Sequence, residues 1–248
     1  MATMMLRGWS ASWPRKPEQS TGSDPTPMIE LTPDLILKAY ACGVFPMAER
    51  HDSPDVYWID PDFRGILPLD QFHLPRRLAR TVRSGAYEVR VDHDFVGTIR
   101  GCAKRTTKRR DTWINSPLIR IFSELHLRGH AHSVEAWRKE KLVGGLYGVA
   151  IGSVFFGESM FSLERDASKV ALVALIERLK RGGFTLLDTQ FVTAHLRRFG
   201  AIEVPRADYL ILLSAALTRR ASFYFEELEL GTVVPGGGKV TQSTTQIS

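Results

Sequence analysis

The sequence predicts an α+β protein in which a small N-terminal lobe precedes a larger unit built on an antiparallel meander and a helical crossover into a further strand. Three observations predict it. Residues 132–157 read as three extended runs, 132–138, 141–150 and 153–157, parted by the turn signals Lys139-Glu140 and Gly152-Ser153. Asp166 to Lys180 carries Leu172, Leu175, Ile176 and Leu179 in one helical stripe and stops at Gly182. Phe184 to Asp188 is then a short apolar strand.

The remaining elements follow in chain order. Residues 1–28 hold Arg7, Arg15, Lys16 and four prolines without an apolar block long enough for a signal peptide, and are expected to be a disordered tail. Met28 directly precedes the first patterned segment, so Met1 and Met28 both stand as starts of translation. Thr32-Pro33-Asp34 supplies an N-cap, a proline at the first helical position and an acidic first turn. Leu31 and Ile36 are placed for a hydrophobic staple, and Gly43 is a stop, which predicts a helix over 33–42. Val44 to Met47 and Val56 to Pro61 are two extended pieces, and the lobe 29–62 closes with them.

From Phe63 the pattern mixes strand and helix, and the larger unit is expected to cover 63–222. Leu74 to Arg83 sets Arg76, Arg80 and Arg83 at i, i+4 and i+7 with Arg77 beside them, a row of guanidinium groups along one helical face or simply a solvated one. Arg100, Lys104, Arg105, Lys108, Arg109 and Arg110 precede Trp113. A basic loop beside an exposed ring grips single-stranded nucleic acid, whereas a loop beside a core Trp does not, and both readings stand. Ser116-Pro117 opens a helix that ends at Gly129. A short helix over 193–199, a strand over 201–204 and a last helix over 207–217 complete the unit, and 223–248 is expected to be a largely disordered tail.

Composition narrows the function. At 248 residues, 44% hydrophobic and 24% charged, the chain buries a core without staples, and a net charge of +6 with a pI near 9.5 suits an anionic partner. Cys42 and Cys102 stand sixty positions apart outside any CxxC, which excludes a disulfide framework or a cysteine zinc site and suits a reducing compartment. No run of 18 apolar residues is present, so no membrane-spanning helix is expected. His130 and His132 lack a third ligand at a usual spacing, and no metal is predicted. There is no GxxxxGK[ST] cradle and no GxSxG elbow.

What remains is Glu158, Ser162, Asp188 and Gln190 among Leu146, Met160, Phe161 and Leu187. Acid and amide groups at an apolar edge suit a reaction that needs orientation and charge stabilisation rather than a strong nucleophile. The structural alternative for Asp188 is a strand-end acid capping the next turn.

Seven segments, taken together, carry a family resemblance: Ala39 to Pro46, Trp58-Ile59-Asp60-Pro61, Thr112-Trp113-Ile114, Gly129 to Glu135, Val143 to Val149, Gly157 to Ser162, and Leu187-Asp188-Thr189-Gln190. In this order the chain resembles the leucyl/phenylalanyl-tRNA–protein transferases over about residues 29–217. The resemblance implies a cytoplasmic bacterial enzyme of the N-end rule pathway that moves Leu or Phe from its tRNA to a protein with an N-terminal Arg or Lys. It implies a C-terminal domain of acetyltransferase-like (GNAT) fold and no cofactor; a monomer is expected.

Carried over by motif, Leu146, Met160, Ser162, Leu175 and Leu187 line the pocket for the donor side chain. Tyr40, Met47 and Trp113 lie at the adenosine end, with Met47 where some members carry Trp and Leu146 where others carry Met. Arg76, Arg77, Arg80 and Arg83 hold tRNA phosphates. Asp188, Gln190 and Glu158 form the catalytic group, with Asp188 either fixing Gln190 or taking a proton. An acetyl-CoA-dependent acyltransferase and a non-catalytic RNA-binding adaptor are the rival readings.

Overall fold

The computed structural model describes residues 31–106 and 110–224. The expected tail 1–28, Lys108 and Arg109 of the basic loop, and residues beyond Tyr224 lie outside the described residues.

The N-terminal lobe is helix α1 (Pro33–Ala41) and a hairpin of β1 (Phe45–Met47) and β2 (Tyr57–Ile59), with Phe45 opposite Ile59. Thr32 caps α1, its hydroxyl accepting from Leu35 N at 3.2 Å, so the N-terminal boundary falls where the cap chemistry predicts.

The larger unit contains β3 (Phe63–Ile66), α2 (Arg76–Arg83), β4 (Glu88–Val91), α3 (Phe95–Ala103), α4 (Ser116–Leu127), β5 (Ala131–Arg138), β6 (Lys141–Ile151), β7 (Val154–Ser162), α5 (Ala167–Arg181), β8 (Leu186–Gln190), α6 (Ala194–Arg197), β9 (Ile202–Pro205) and α7 (Arg206–Leu217). Seven strands form one sheet in the order β4-β5-β6-β7-β8-β3-β9. The strands β5 to β7 are the expected antiparallel meander, which β4 extends by a fourth strand not expected from the sequence, and α5 crosses from β7 to a parallel β8. The chain is thus α+β with a mixed sheet. Strands β3 and β4 carry no distinct pattern in the sequence, and both are placed by their neighbours: β3 inserts antiparallel between β8 and β9.

Helices cover both faces of the sheet, and strand alternation sorts the core between them. Tyr147, Phe156 and Leu186 pack with Ile36, Tyr40, Phe122 and Leu213 on the face covered by α1, α3, α4 and α7. Leu146, Phe155 and Leu187 pack with Leu172, Leu175, Ile176 and Leu179 of α5 on the other. Phe223 joins this second core, stacked 4.1 Å from His132 and 5.5 Å from Phe155, so ordered packing continues into the segment expected to begin a tail. His132 directs Nδ1 to Asp92 at 2.8 Å.

Candidate active site

Strands β7 and β8 are the parallel pair of the sheet, and their pairing runs only from Val154 opposite Leu186 to Phe156 opposite Asp188. Beyond that register each strand continues without the other. Ligand sites in mixed and open sheets form where strands part at their carboxyl ends.

Two β-bulges shape this mouth. On β7, Tyr147 faces Ser159 while Gly148 faces Gly157, which leaves Glu158 as an extra residue. The bulge has a visible consequence: Phe156 and Phe161, five positions apart, both lie in the first core, which strict alternation forbids. On β8, Gly65 faces Gln190 and Ile66 faces Asp188, so Thr189 is extra. A Cβ on Gly65 would stand 2.7 Å from the Phe191 carbonyl carbon and 2.9 Å from Val192 N, so only glycine permits this approach. Gln190 itself has φ 55°, a left-handed backbone uncommon outside glycine.

The residue left extra on β7 meets the one that follows the extra residue on β8. Gln190 Nε2 donates to Glu158 Oε1 at 3.2 Å, and Gln190 N donates to Asp188 Oδ1 at 2.7 Å. Asp188 is 0% exposed and its two oxygens are filled by further donors. Arg64 Nε reaches Oδ1 at 3.0 Å, Arg64 Nη2 reaches Oδ2 at 2.7 Å, and the Tyr209 hydroxyl reaches Oδ2 at 2.7 Å. A carboxylate engaged on all sides is an anchor rather than a proton acceptor. Between the two roles expected for Asp188, the geometry therefore favours fixing Gln190.

Glu158 differs. Burial, opposed by the nearby Tyr40 phenol and reinforced by the Asp188 charge, pushes its carboxyl up to about 8. At neutral pH it is mainly protonated, a neutral acid beside a neutral amide. Two phenols, Tyr40 and Tyr147, whose buried hydroxyls have no partner of good hydrogen-bond geometry among the described residues, belong to the same neighbourhood; burial followed by the Glu158 charge raises the pKa of both, with a looser polar contact to Glu158 adding to it for Tyr40. For Arg64, burial works against its charge, and attraction and hydrogen bonding to Asp188 outweigh it, so its pKa is raised.

The structure brings together Glu158, Asp188 and Gln190, with Tyr40 fully buried beside Glu158. Met47 is buried at 4% exposure and Trp113 half-buried in the same core, joined by a bond from Ala48 N to Trp113 O at 3.3 Å. Trp113 is thus neither the exposed ring nor the core ring of the two readings of its loop. Leu146, Met160, Leu175 and Leu187 gather on the α5 face, with Leu146 opposite Met160. Ser162 stands apart from them: it is exposed, and its hydroxyl donates to Glu164 O at 2.7 Å and accepts from Ser168 N at 3.2 Å, capping the turn into α5.

Arg76, Arg77, Arg80 and Arg83 are all exposed on α2. Arg77 pairs with Asp166 at 3.0 Å, while the other three make no ion pair among the described residues. Sequence reasoning missed Arg64 and Tyr209. The signal for Arg64 was present, a lone cation in the apolar run Phe63-Arg64-Gly65-Ile66-Leu67; for Tyr209, one aromatic on an apolar helix, no signal distinguishes it from core.

Comparison with known proteins identifies the class as an aminoacyltransferase. Residues 66–214 match the family model described as leucyl/phenylalanyl-tRNA protein transferase, and residues 29–62 match the model of its N-terminal domain. A leucyl/phenylalanyl-tRNA–protein transferase of Nitrobacter winogradskyi is 56% identical over 211 residues, covering 85% of this chain and 93% of that one. The chain belongs to the leucyl/phenylalanyl-tRNA protein transferase family. Among solved structures, L-PGS from Bacillus licheniformis is similar at 14% identity and a TM-score of 0.36, over 75% of this chain and 77% of that chain, a likeness too weak to assign a fold. The expected acetyltransferase-like fold therefore does not follow from that comparison.

Proposed function

We propose that this enzyme transfers Leu or Phe from its charged tRNA to the α-amino group of a protein beginning with Arg or Lys, marking that protein for degradation by the N-end rule in the cytoplasm. The observation that carries the reading is the Gln190–Glu158 bridge across the parting ends of β7 and β8, with Asp188 holding Gln190 from behind. The meander, the α5 crossover and the splayed parallel pair support an acetyltransferase-like (GNAT) architecture for residues 63–222.

The reaction is aminolysis of an ester. A C–N bond forms at the esterified carbonyl carbon, the C–O bond to the ribose breaks, and the amine proton is lost as the ribose oxygen gains one. An α-amino group has an ordinary pKa of about 7.7–8.0, so roughly a tenth is neutral at pH 7 and the chemistry needs orientation more than a strong base. Because Nε2 of Gln190 engages Glu158, its carbonyl Oε1 is the end left to accept a hydrogen bond from the incoming amine. Leu146, Met160, Leu175 and Leu187 supply apolar walls for the donor side chain, and burying a charged one there is costly. Trp113 stacks on the terminal adenosine, and Arg76, Arg77, Arg80 and Arg83 hold phosphates of the acceptor end.

Labelled Leu-tRNA or Phe-tRNA with an Arg-headed peptide, assayed with and without ribonuclease, tests this directly. Label entering the peptide only while the RNA is intact is the expected result. Label transfer from acetyl-CoA without tRNA, or tRNA binding without transfer, would overturn it.

A further inference from the structure

We infer that Arg64 and Tyr209 are positioning residues of the transfer reaction, which set Gln190 by clamping the Asp188 carboxylate between strand β3 and helix α7. The inference rests on the reading above, in that Gln190 is taken to orient the incoming amine.

Neither residue reaches the mouth of the sheet. Both are 1% exposed, and the Arg64 guanidinium lies between two rings, 4.5 Å from the Phe45 centroid and 4.7 Å from that of Tyr209. Its contacts join parts of the chain that are remote in sequence. Nε and Nη2 take Asp188, and Nη1 donates to Gly43 O at 2.7 Å in the turn that follows α1. Gly43 turns its carbonyl inward from a left-handed backbone, φ 83°, where a Cβ would stand 2.9 Å from Leu210 Cδ2 of α7. One arginine therefore ties the N-terminal lobe, which supplies Tyr40 beside Glu158, to the strand that supplies Gln190. Tyr209 adds the third direction, donating from α7 to the Asp188 oxygen that does not receive Gln190 N.

Stability alone does not account for this cluster. A buried ion pair adds little over apolar residues of equal volume, because the desolvation of both charges offsets their attraction. What the cluster supplies is direction. Asp188 accepts at geometrically distinct points from Arg64, Tyr209 and the Gln190 backbone, and Gln190 sits in a left-handed conformation that such anchoring maintains. A reacting group displaced by about 1 Å loses on the order of a hundredfold in rate.

The test uses the full-length enzyme, with steady-state kinetics on Leu-tRNA and an Arg-headed peptide. Tyr209→Phe keeps the ring and removes one donor. Its kcat is expected to fall about tenfold with KM for Leu-tRNA unchanged and near-ultraviolet dichroism like the wild type. Because Tyr209 acts through Asp188, the double variant Asp188→Asn/Tyr209→Phe is expected to be no slower than Asp188→Asn alone. Arg64→Lys, which keeps the charge but loses the fork, is expected to lower kcat further; if it fails to fold, the Tyr209 pair decides. A wild-type kcat in Tyr209→Phe, or losses that multiply in the double variant, would overturn the inference. Wild-type enzyme that transfers nothing would instead defeat the underlying functional reading.

Discussion

Gln190 and Glu158 share a 3.2 Å hydrogen bond across two strands that no longer pair with each other, each residue delivered by its own β-bulge. The bond closes a polar bridge over the gap between β7 and β8 while leaving one face of the Gln190 amide open.

Glu158 makes stability depend on pH. Its carboxyl is pushed up to about 8 in the folded protein against an ordinary 4.5, so between these values the folded state keeps a proton the unfolded chain has released. With more protons bound folded than unfolded, the pH derivative of the unfolding free energy is negative there. The contribution is present in full below the unfolded pKa and is lost as pH rises through the folded one. Urea melts of the wild type at about pH 6 and about pH 8 should show lower relative stability at the higher pH, and Glu158→Gln should flatten that slope. Parallel slopes for the two proteins would refute the assignment.

Asp188→Ala and Gln190→Ala should separate stability from activity. The first strands Arg64 as a buried unpaired cation and is expected to cost about 3–5 kcal/mol. The second removes one hydrogen bond at the sheet mouth and should cost no more than about 1–2 kcal/mol, while both variants should forfeit most transfer to an Arg-headed peptide. Denaturant melts and the transfer assay together check the split; wild-type rates in both variants would remove these residues from the mechanism.

Gly65→Ala is a small change with a backbone consequence. The added methyl meets the Phe191 and Val192 main chain as well as Thr189 Oγ1, and main chain cannot yield as a side chain does, so the bulge around Thr189 must open. A destabilisation of about 1–3 kcal/mol, the cost of overpacking, is expected, with reduced transfer because Gln190 lies on the same bulge. A variant as stable and active as wild type would show that β8 relaxes freely.

The exposed arginines of α2 should act on binding alone. Arg80→Ala with Arg83→Ala should leave melting within about 0.5 kcal/mol of wild type, as expected for solvated side chains. Removing them should raise KM for charged tRNA and make its salt dependence shallower by about 0.7 for each phosphate no longer neutralised. An unchanged salt slope would mean that this face does not touch RNA.

Helix α3 was not expected from the sequence, although Asp94 caps it; the other helices were legible because their signals are local. Thr32-Pro33 and Asn115-Ser116-Pro117 carry cap and first-turn chemistry in adjacent residues, and the α5 stripe repeats within one segment. The meander was legible from alternation and turn residues, except that the third strand runs on to Ser162 through the bulge at Glu158. A bulge breaks alternation by one position, and its compensation lies in the partner strand. Strand β4, four residues at the sheet edge without a fully buried position, has too short and too polar a pattern to announce itself.

Glu158, Asp188 and Gln190 were identifiable as polar residues among apolar neighbours, and the motif order pointed to the family to which the chain belongs. Their division of labour was not identifiable. The sequence by itself determined which residue types stand at the ends of β7 and β8, and the apolar stripe of α5 that packs beside them. The tertiary structure alone decided that the Asp188 oxygens are filled by donors and that the Glu158 carboxyl is pushed up to about 8, because these depend on Arg64, 124 positions away, on Tyr209, 21 positions away, and on burial. Desolvation and hydrogen-bond saturation belong to the assembled environment, and no local stretch of chain contains them.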